Sequence, residues 1–416
     1  MADPAPESRT PFPKWPIRPE SMVMVLLLTV LVAYGAISNN IVLPILPALA
    51  SEFQVPVGTA MLTISVFFVG FGVGQAFYGS LSDRFGRRPV LMAGVGLYTL
   101  GSLGCALAPD METLMVARLL QGLAAASAQV LARAVVRDLF TPIRAAQVLS
   151  LMSAAFAFAS AFAPLAGGVF LGWFGWQAVF IALASVGAAT FLTLWLGFGE
   201  SLAARDEAAM DLGRLAVNYR ALAVNRIFLG YTFTFSAAFA GMFAFHSGSS
   251  FVFITLFDYT PQMFGLFFAL VLVGYLIGTV ASSKLVAVFG IHRLVAAGVA
   301  ASILASGIMV ALVASGLAGP SAILISQFFF MFGFGLIMPN AIAGALAPFP
   351  EKAGAASALL GFIQQSSGGS MVAVLGLLVD GTALPMAGCI FGGALLSVLC
   401  FATILPRNAR VGETAG

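Results

Sequence analysis

Charge is what this sequence has least of. Across 416 residues only 8% are Asp, Glu, Lys or Arg, while 60% are hydrophobic. A soluble globule carries roughly a quarter charged residues, so there is too little polar surface here to cover one. Histidine is scarcer still, with His246 and His292 the only two. They offer neither a nucleophile beside a base nor ligands at metal spacing, which sets aside an enzyme active site. No metal and no cofactor are expected. The three cysteines, Cys105, Cys389 and Cys400, all fall in apolar runs, which argues for packing and against a disulfide framework. The longest polar connection is too short to be a sensory domain.

What is present is a succession of apolar runs, each near the 20 or so residues that cross a bilayer and separated by Gly and Pro signals. They predict an all-α membrane protein with twelve transmembrane helices, at about 22–47, 57–80, 89–108, 112–136, 145–171, 175–198, 226–256, 262–283, 293–315, 320–347, 353–379 and 384–405. The connection 199–225 mixes Arg205, Asp206, Glu207, Asp211, Arg214 and Arg220 with Ala and Leu, as an amphipathic surface helix would. It divides the chain into six-helix halves, 22–198 and 226–405, with tails at 1–21 and 406–416. An internal repeat supports the division. A shift of 204 lays Val69, Gly70, Gly74, Leu81, Phe85, Gly86 and Gly94 on Val273, Gly274, Gly278, Leu285, Phe289, Gly290 and Gly298, as parallel pseudo-symmetric halves require.

The few charges set the orientation. Of 19 Lys and Arg residues, 18 fall in the tails, the even-to-odd connections or their flanks, and only Arg118 sits well inside a span. The other side carries Glu52, Asp110, Glu112, Asp258 and Asp380. The positive-inside rule then places both termini in the cytoplasm. The net charge of +3 follows from this topology and implies no nucleic-acid partner. Residues 1–21 are proline-rich and lack a small-residue cleavage site, so they read as a disordered tail before an uncleaved first helix.

Several stretches carry candidate function. GSLSDRFGRRP, Gly79 to Pro89, sets Asp83, Arg84, Arg87 and Arg88 around Gly86 and reads as a tight hairpin between two spans. In the first span Asn39 and Asn40 precede Pro44 and Pro47. Prolines at membrane depth are tolerated where protein or a water-filled cavity re-satisfies the backbone, so this end is expected to line a cavity. In the fourth span Arg118, Gly122, Ala125, Gln129 and Arg133 share one helix face, with Gln121 alongside. An arginine in lipid costs at least ~2.5 kcal/mol, so the stripe is expected to face a cavity; the alternative is Arg118 snorkelling to the surface. Phe and Met rows such as Phe239 and Met242 of the seventh span are more often core or lipid-facing than ligand-binding. His246, beside them, titrates near neutral pH if it meets water, and is otherwise a neutral, hydrogen-bonded core histidine. The amides of Asn340, Gln364 and Gln365 need partners inside the membrane and either fix helix packing or contact substrate.

Taken together, VGFGVGQAFYGSLSDRFGRRPVL, ARLLQGLAAASAQVLARAVVRDLF, APLAGG with FGWQAVF, GESL, FAGMFAFHSGSSFVF with TPQMFG, and PNAIAGALAP with AGAASALLGFIQ resemble one branch of the major facilitator superfamily, the Bcr/CflA drug-resistance transporters. The resemblance runs from about Ser38 to Gly369. It implies the facilitator fold and a monomer in the bacterial inner membrane, exporting small amphipathic drugs in exchange for protons. It also implies that Asp83 and Arg87, within the cluster of Arg84 and Arg88 and joined by Asp138, hold the two halves together while the pathway faces outward. Arg118 matches a motif arginine associated with proton coupling, and Pro164, Gly167 and Gly168 match an antiporter motif. Three positions depart from the family: Asn40 stands where an aspartate is usual, Ala163 replaces a glycine, and Ser250 replaces a proline. None of the 16 acids falls deep in a span. An asparagine cannot titrate, so coupling is expected through an end-of-helix acid or His246; the alternative is an uncoupled facilitator or importer of a small metabolite. Without an acid near Arg118 the cavity is neutral to positive, which favours neutral or anionic amphiphiles over organic cations.

Overall fold

The computed structural model describes residues 17–18, 21–207, 209, 211–349 and 352–405. The tails expected at 1–21 and 406–416 lie outside these, apart from Ile17, Arg18 and Ser21. The elements are α1 (Met22–Asn40), a 3-10 turn (Leu43–Ile45), α2 (Leu46–Glu52), α3 (Val57–Phe85), α4 (Arg87–Ala106), α5 (Met111–Leu139), α6 (Pro142–Phe174) and α7 (Gln177–Gly197). They continue with α8 (Leu212–Ala223), α9 (Arg226–Ser250) running into a π turn (Phe251–Leu256), α10 (Pro261–Ala314), α11 (Pro320–Leu346), α12 (Ala353–Leu378) and α13 (Leu384–Thr403). No strand occurs among the described residues.

Eleven of these helical stretches are long and apolar enough to cross a membrane. One of them, α10, has 54 residues, about 80 Å at 1.5 Å per residue, against a hydrocarbon layer of about 30 Å. It breaks at Gly290, where φ is 75° and ψ 164°, so it crosses twice and the total is twelve. Polar side chains start the helices where the sequence offers them. Ser21, Asp110, Asn225 and Thr260 accept from Met24, Thr113, Phe228 and Met263 N–H groups, each satisfying one of the donors that a helix N-terminus leaves free. The expected amphipathic connection contains a helix only over α8.

Two bundles result. In the first, α5 packs on α1, α3 and α4, with α7 against α4 and α6 against α1; in the second, α10 packs on α11, and α9 on α11, α12 and α13. The repeat is visible in the packing. Gly70 and Gly74 of α3 press on the carbonyls of Leu119 and Leu123 in α5, and Gly274 and Gly278 of α10 press on those of Phe328 and Phe332 in α11. Contacts at the matching offset make Gln327 the counterpart of Arg118.

The bundles meet along α3 with α12 and α6 with α10. Gly58, Ser65, Gly72 and Gly79 recur on α3 at seven-residue intervals, the spacing that keeps one face on a crossing helix. Gly58 lies on Gly376, Ser65 on Gly369, and Gly72 against Gln365 and Phe362, whereas a Cβ on Gly79 would meet nothing within 4 Å. Gly354, at the corresponding end of α12, likewise faces open space. The seam is therefore closed at the end bearing Gly58 (the far end) and parts at the end bearing Asp83 (the charged end).

The cavity expected beside Pro44 and Pro47 is absent from this arrangement. Leu43, Ile45 and Leu46 are fully buried, and Gly167 of α6 closes on the Ile41 carbonyl and the Pro44 ring. Protein packs closely around Pro44, and Pro47 remains half-buried.

Candidate functional site

At the charged end the expected hairpin shrinks to a single residue. Asp83 and Arg84 still belong to α3, Arg87 and Arg88 already belong to α4, and only Gly86 lies between. Its φ of 103° and ψ of 153° suit glycine alone, and a Cβ there would run into the Glu200 carboxylate. That carboxylate accepts from the backbone N–H groups of Arg87 at 2.8 Å, Arg88 at 3.2 Å and Leu202 at 3.1 Å. It thus caps α4, where free N–H groups and the helix dipole favour an anion.

With its backbone so held, Arg87 turns its guanidinium inward. Nη1 meets Asp83 Oδ1 at 2.6 Å and Ser82 Oγ at 2.6 Å, and Nε donates to Asp138 Oδ2 at 2.9 Å. Ser201 Oγ adds a bond to the same Asp138 oxygen at 3.2 Å. Arg84 is outside the cluster, exposed with its guanidinium 5.5 Å from the Phe85 ring centre, and Arg88 reaches the Trp195 carbonyl at 3.1 Å. Asp83, Arg87 and Asp138 come from the first half, and Glu200 and Ser201 from the connection that follows it. The bonds clasp α3, α4, α5 and the segment after α7 to one another, and the Asp206 N–H adds the linker by donating to the Asp83 carbonyl at 3.0 Å. The tie between halves is expected while the pathway faces outward, and this arrangement, parted at the charged end, is the other state. Glu200 and Ser201 carry little signal alone, since what identifies them is the α4 backbone that Glu200 meets across more than 110 residues and the Asp138 carboxylate that Ser201 meets across 63.

Arg118 is fully buried, and it neither snorkels nor faces the seam. Nη1 donates to the Ser38 carbonyl at 3.1 Å and to Gln121 Oε1 at 2.7 Å, and Nε approaches the Thr63 carbonyl at 3.4 Å. Its guanidinium carbon lies 4.4 Å from the Phe67 ring centre, within cation–π range. Gln121 passes the chain on to Ser102 Oγ at 2.7 Å, and Tyr98 bonds Ser38 Oγ at 2.6 Å. Carbonyls and a ring inside the first bundle thus solvate the cation, which is why the stripe turns to α3: Gly122 sits on the Phe67 carbonyl, and Gln129 accepts from Gln75 at 2.9 Å. Among the described residues no acid bonds to Arg118. Its counterpart Gln327 is fully buried with neither amide atom partnered among the described residues.

The antiporter-motif positions form the far-end closure. Pro164 lies inside α6, Gly167 receives α1, and Gly168 receives Pro261 of α10, with Gln262 Nε2 donating to the Gly168 carbonyl at 3.1 Å.

Between the bundles an aromatic wall joins the halves. Phe68 of α3 meets Phe243 of α9 edge-on at 4.6 Å, Phe243 lies 4.6 Å from Phe239 and 4.9 Å from His246, and His246 lies 4.6 Å from Phe268 of α10. Met242 is buried on the same helix. Ser65 Oγ and Gln365 Oε1, on the seam of α3 with α12, and His246 Nδ1 lack partners, as do Asn39 Oδ1 of α1 and Ser236 Oγ of α9. Buried polar atoms are normally paired, so those beside the wall have capacity to bond a polar visitor. Asn39 donates to Asn40 at 3.4 Å, and Asn40 to the Ser160 carbonyl of α6 at 3.3 Å. Gln364 is half-buried on α12. Asn340 lies elsewhere, donating to Ser282 Oγ at 2.6 Å and the Leu336 carbonyl at 2.8 Å, and so joins α10 to α11.

Two bundles of six crossings related by an internal repeat, parting at one end around a mid-membrane wall, define a transporter with alternating access. The chain belongs to the Major Facilitator Superfamily, which it matches over residues 26–373. It is 30% identical over 405 residues to the uncharacterised MFS-type transporter YdgK of Bacillus subtilis, covering 96% of this chain and 99% of that one. It is 27% identical to a bicyclomycin resistance protein homologue of Haemophilus influenzae, covering 94% and 98%, and 26% identical to multidrug resistance protein D of Escherichia coli, covering 95% and 99%. Among solved structures, the xylose transporter XylE of E. coli in a partially occluded inward-open conformation superposes with a TM-score of 0.68 over 91% of this chain and 95% of that one, at 14% identity. At that identity the likeness speaks for the fold.

Proposed function

We propose that this protein exports small amphipathic drugs or metabolites across the bacterial inner membrane in exchange for protons, as a monomer. The observation that carries the reading is the seam. It presents a wall of Phe68, Phe239, Phe243 and Phe268 with unpartnered amide, hydroxyl and imidazole atoms, a surface suited to a flat apolar body with a few polar groups. The relatives named for bicyclomycin and multidrug resistance support export of such compounds. The positive-inside rule puts the charged end in the cytoplasm, so the arrangement described is open to the cytoplasm, ready to take substrate from that side or from the inner leaflet. Rocking of one bundle against the other then opens the far end and releases the substrate outside.

With no acid along the wall, neutral compounds are favoured over lipophilic cations. The test is transport by the purified protein in inside-out vesicles, with chloramphenicol as the neutral probe and ethidium as the cationic one. Proton movement evoked by chloramphenicol, and little by ethidium, is the expected result. Chloramphenicol flux with no proton movement overturns antiport in favour of a facilitator, and equal handling of both probes overturns the charge preference.

A further inference from the structure

Proton antiport needs a group that gains and loses a proton as access alternates, and the described spans offer few. Asp83 and Asp138 are bonded to Arg87 at the charged end. Glu52, Asp110, Glu112, Asp258 and Asp380 lie at helix ends or connections on the far side. Asn40, in the first span, donates its amide to Ser160 and has no acidic form. His292 follows the Gly290 break, 4.9 Å from the Phe401 ring. That leaves His246.

We infer that His246 is the proton carrier of this transporter, an inference that rests on the antiport reading above. Its place in the fold fits the task in three respects. It lies on α9 twenty residues from Arg226 and ten from Leu256, about 15 Å of helix from the far end, within reach of water once that end opens. Its imidazole makes no hydrogen bond among the described residues, and its Nδ1 is buried without a partner, so no fixed acceptor locks one protonation state as it would in a structural histidine. It is also one ring away from the other half: His246 touches Phe243, and Phe243 touches Phe68 across the seam. Movement of the halves therefore changes what surrounds the imidazole, which a coupling group requires.

The neighbours are all uncharged. α9 itself presents Phe243 and Phe245 to the ring, and α10 presents Phe268. Two residues on, and on roughly the opposite face of α9, Leu375 of α12 and Met386 of α13 close on Gly248, and from α3 the nearest group in the chain of contacts is Phe68. No titratable or charged side chain faces His246 among these. In the arrangement closed at the far end, an imidazolium has only phenyl faces to stabilise it, so the ring is neutral and the wall is free for substrate. When the far end opens, water hydrates the ring, and a proton from outside forms the second N–H bond. After the return movement that N–H bond breaks and the proton passes to cytoplasmic water. One proton enters for each drug that leaves, and no other reactant is needed. For a neutral drug the cycle carries one positive charge inward.

The test compares wild type with His246→Gln, which keeps an amide of similar reach and cannot titrate, in proteoliposomes with chloramphenicol as the probe. Two quantities are read: chloramphenicol exchange without a pH gradient, and chloramphenicol-evoked proton movement reported by a dye. The expected result is proton movement lost out of proportion to exchange: whatever exchange the altered wall supports, the protons moved per chloramphenicol exchanged fall to zero. In wild type the chloramphenicol Kd should also weaken as pH falls, towards a limit of about tenfold per unit for one competing proton, and be flat in the variant. Proton movement that persists in His246→Gln overturns the inference while leaving antiport standing; wild-type protein that moves chloramphenicol without protons overturns antiport and the inference with it. Should the variant fail to insert, untagged His292→Asn protein has His246 as its only histidine, and complete carbethoxylation must abolish coupling. Full coupling after modification overturns the assignment.

Discussion

Arg118 Nη1 donates to the Gln121 side-chain oxygen at 2.7 Å, one turn further along α5, and the same nitrogen reaches the Ser38 carbonyl of α1 at 3.1 Å. An intramembrane arginine is thereby solvated by its own bundle. Arg118→Ala removes a large buried side chain and the cation–π contact with Phe67, and should cost roughly 2–5 kcal/mol, as large-to-small core changes do. Arg118→Gln, which installs the residue found at the pseudo-symmetric position 327, should be milder. Thermal unfolding in detergent compares the two, and equal melting temperatures for wild type and Arg118→Ala would place the arginine outside the bundle core.

The two acids on Arg87 are unequal. The Asp138 side chain is 19% exposed and that of Asp83 44%, and Asp138 also takes the Ser201 bond. Asp138→Asn should therefore be the more damaging, by about 1–3 kcal/mol for a charged hydrogen bond lost in a sheltered site, against at most about 1 kcal/mol for Asp83→Asn. Asp83→Asn should still slow transport, because it loosens the clasp between α3 and α4. Stability and chloramphenicol flux measured on both variants check the ranking; a more stable Asp138→Asn reverses it.

Gly86→Ala sets a side chain on a left-handed backbone and drives it into Glu200. A loss of about 1–3 kcal/mol is expected from the backbone alone, with the α4 cap broken in addition. Glu200→Gln keeps the shape and gives up the charge at the helix N-terminus, a loss of about 0.3–1 kcal/mol. If Gly86→Ala melts like wild type, the single-residue link between α3 and α4 is wrong.

Along the seam, Gly58→Val and Gly79→Val make a matched pair. The first pushes a side chain into the Gly376 backbone and the second meets open space. Gly58→Val should disfavour closure at the far end and lower transport severalfold, with Gly79→Val near wild type. The conformational shift can be read from thiol labelling of a cysteine placed at Gly354, which should become less accessible only in Gly58→Val. Equal effects of the two substitutions would mean that the halves do not zip from the far end.

Much of the fold was legible because lipid enforces it. Apolar runs, glycine and proline interruptions, and the one-sided distribution of arginine follow from the expense of polar groups in hydrocarbon, and each leaves a local mark in the chain. The charged island Gly79 to Pro89 was legible for the same reason. The face of α5 was not. Helical periodicity put Arg118, Gly122 and Gln129 on one side but gave no means of telling a water-filled cavity from the carbonyls of Ser38 and Thr63, since both solvate a guanidinium. Glu200 was equally hidden, because a helix cap supplied from more than 110 residues away obeys no spacing rule.

The sequence by itself determined that the chain lives in a membrane, that it crosses in two related halves, and which few residues have chemistry to offer there, because burial in lipid is priced residue by residue. Only the tertiary structure decided which of those residues meet: that Arg87 holds Asp83 and Asp138 together, that Arg118 is enclosed by its own bundle, and that His246 stands one phenyl ring from the opposite half. Such pairings depend on which helix faces converge, and that is settled by the packing of whole helices against one another, glycine against carbonyl, over distances at which no sequence interval carries information.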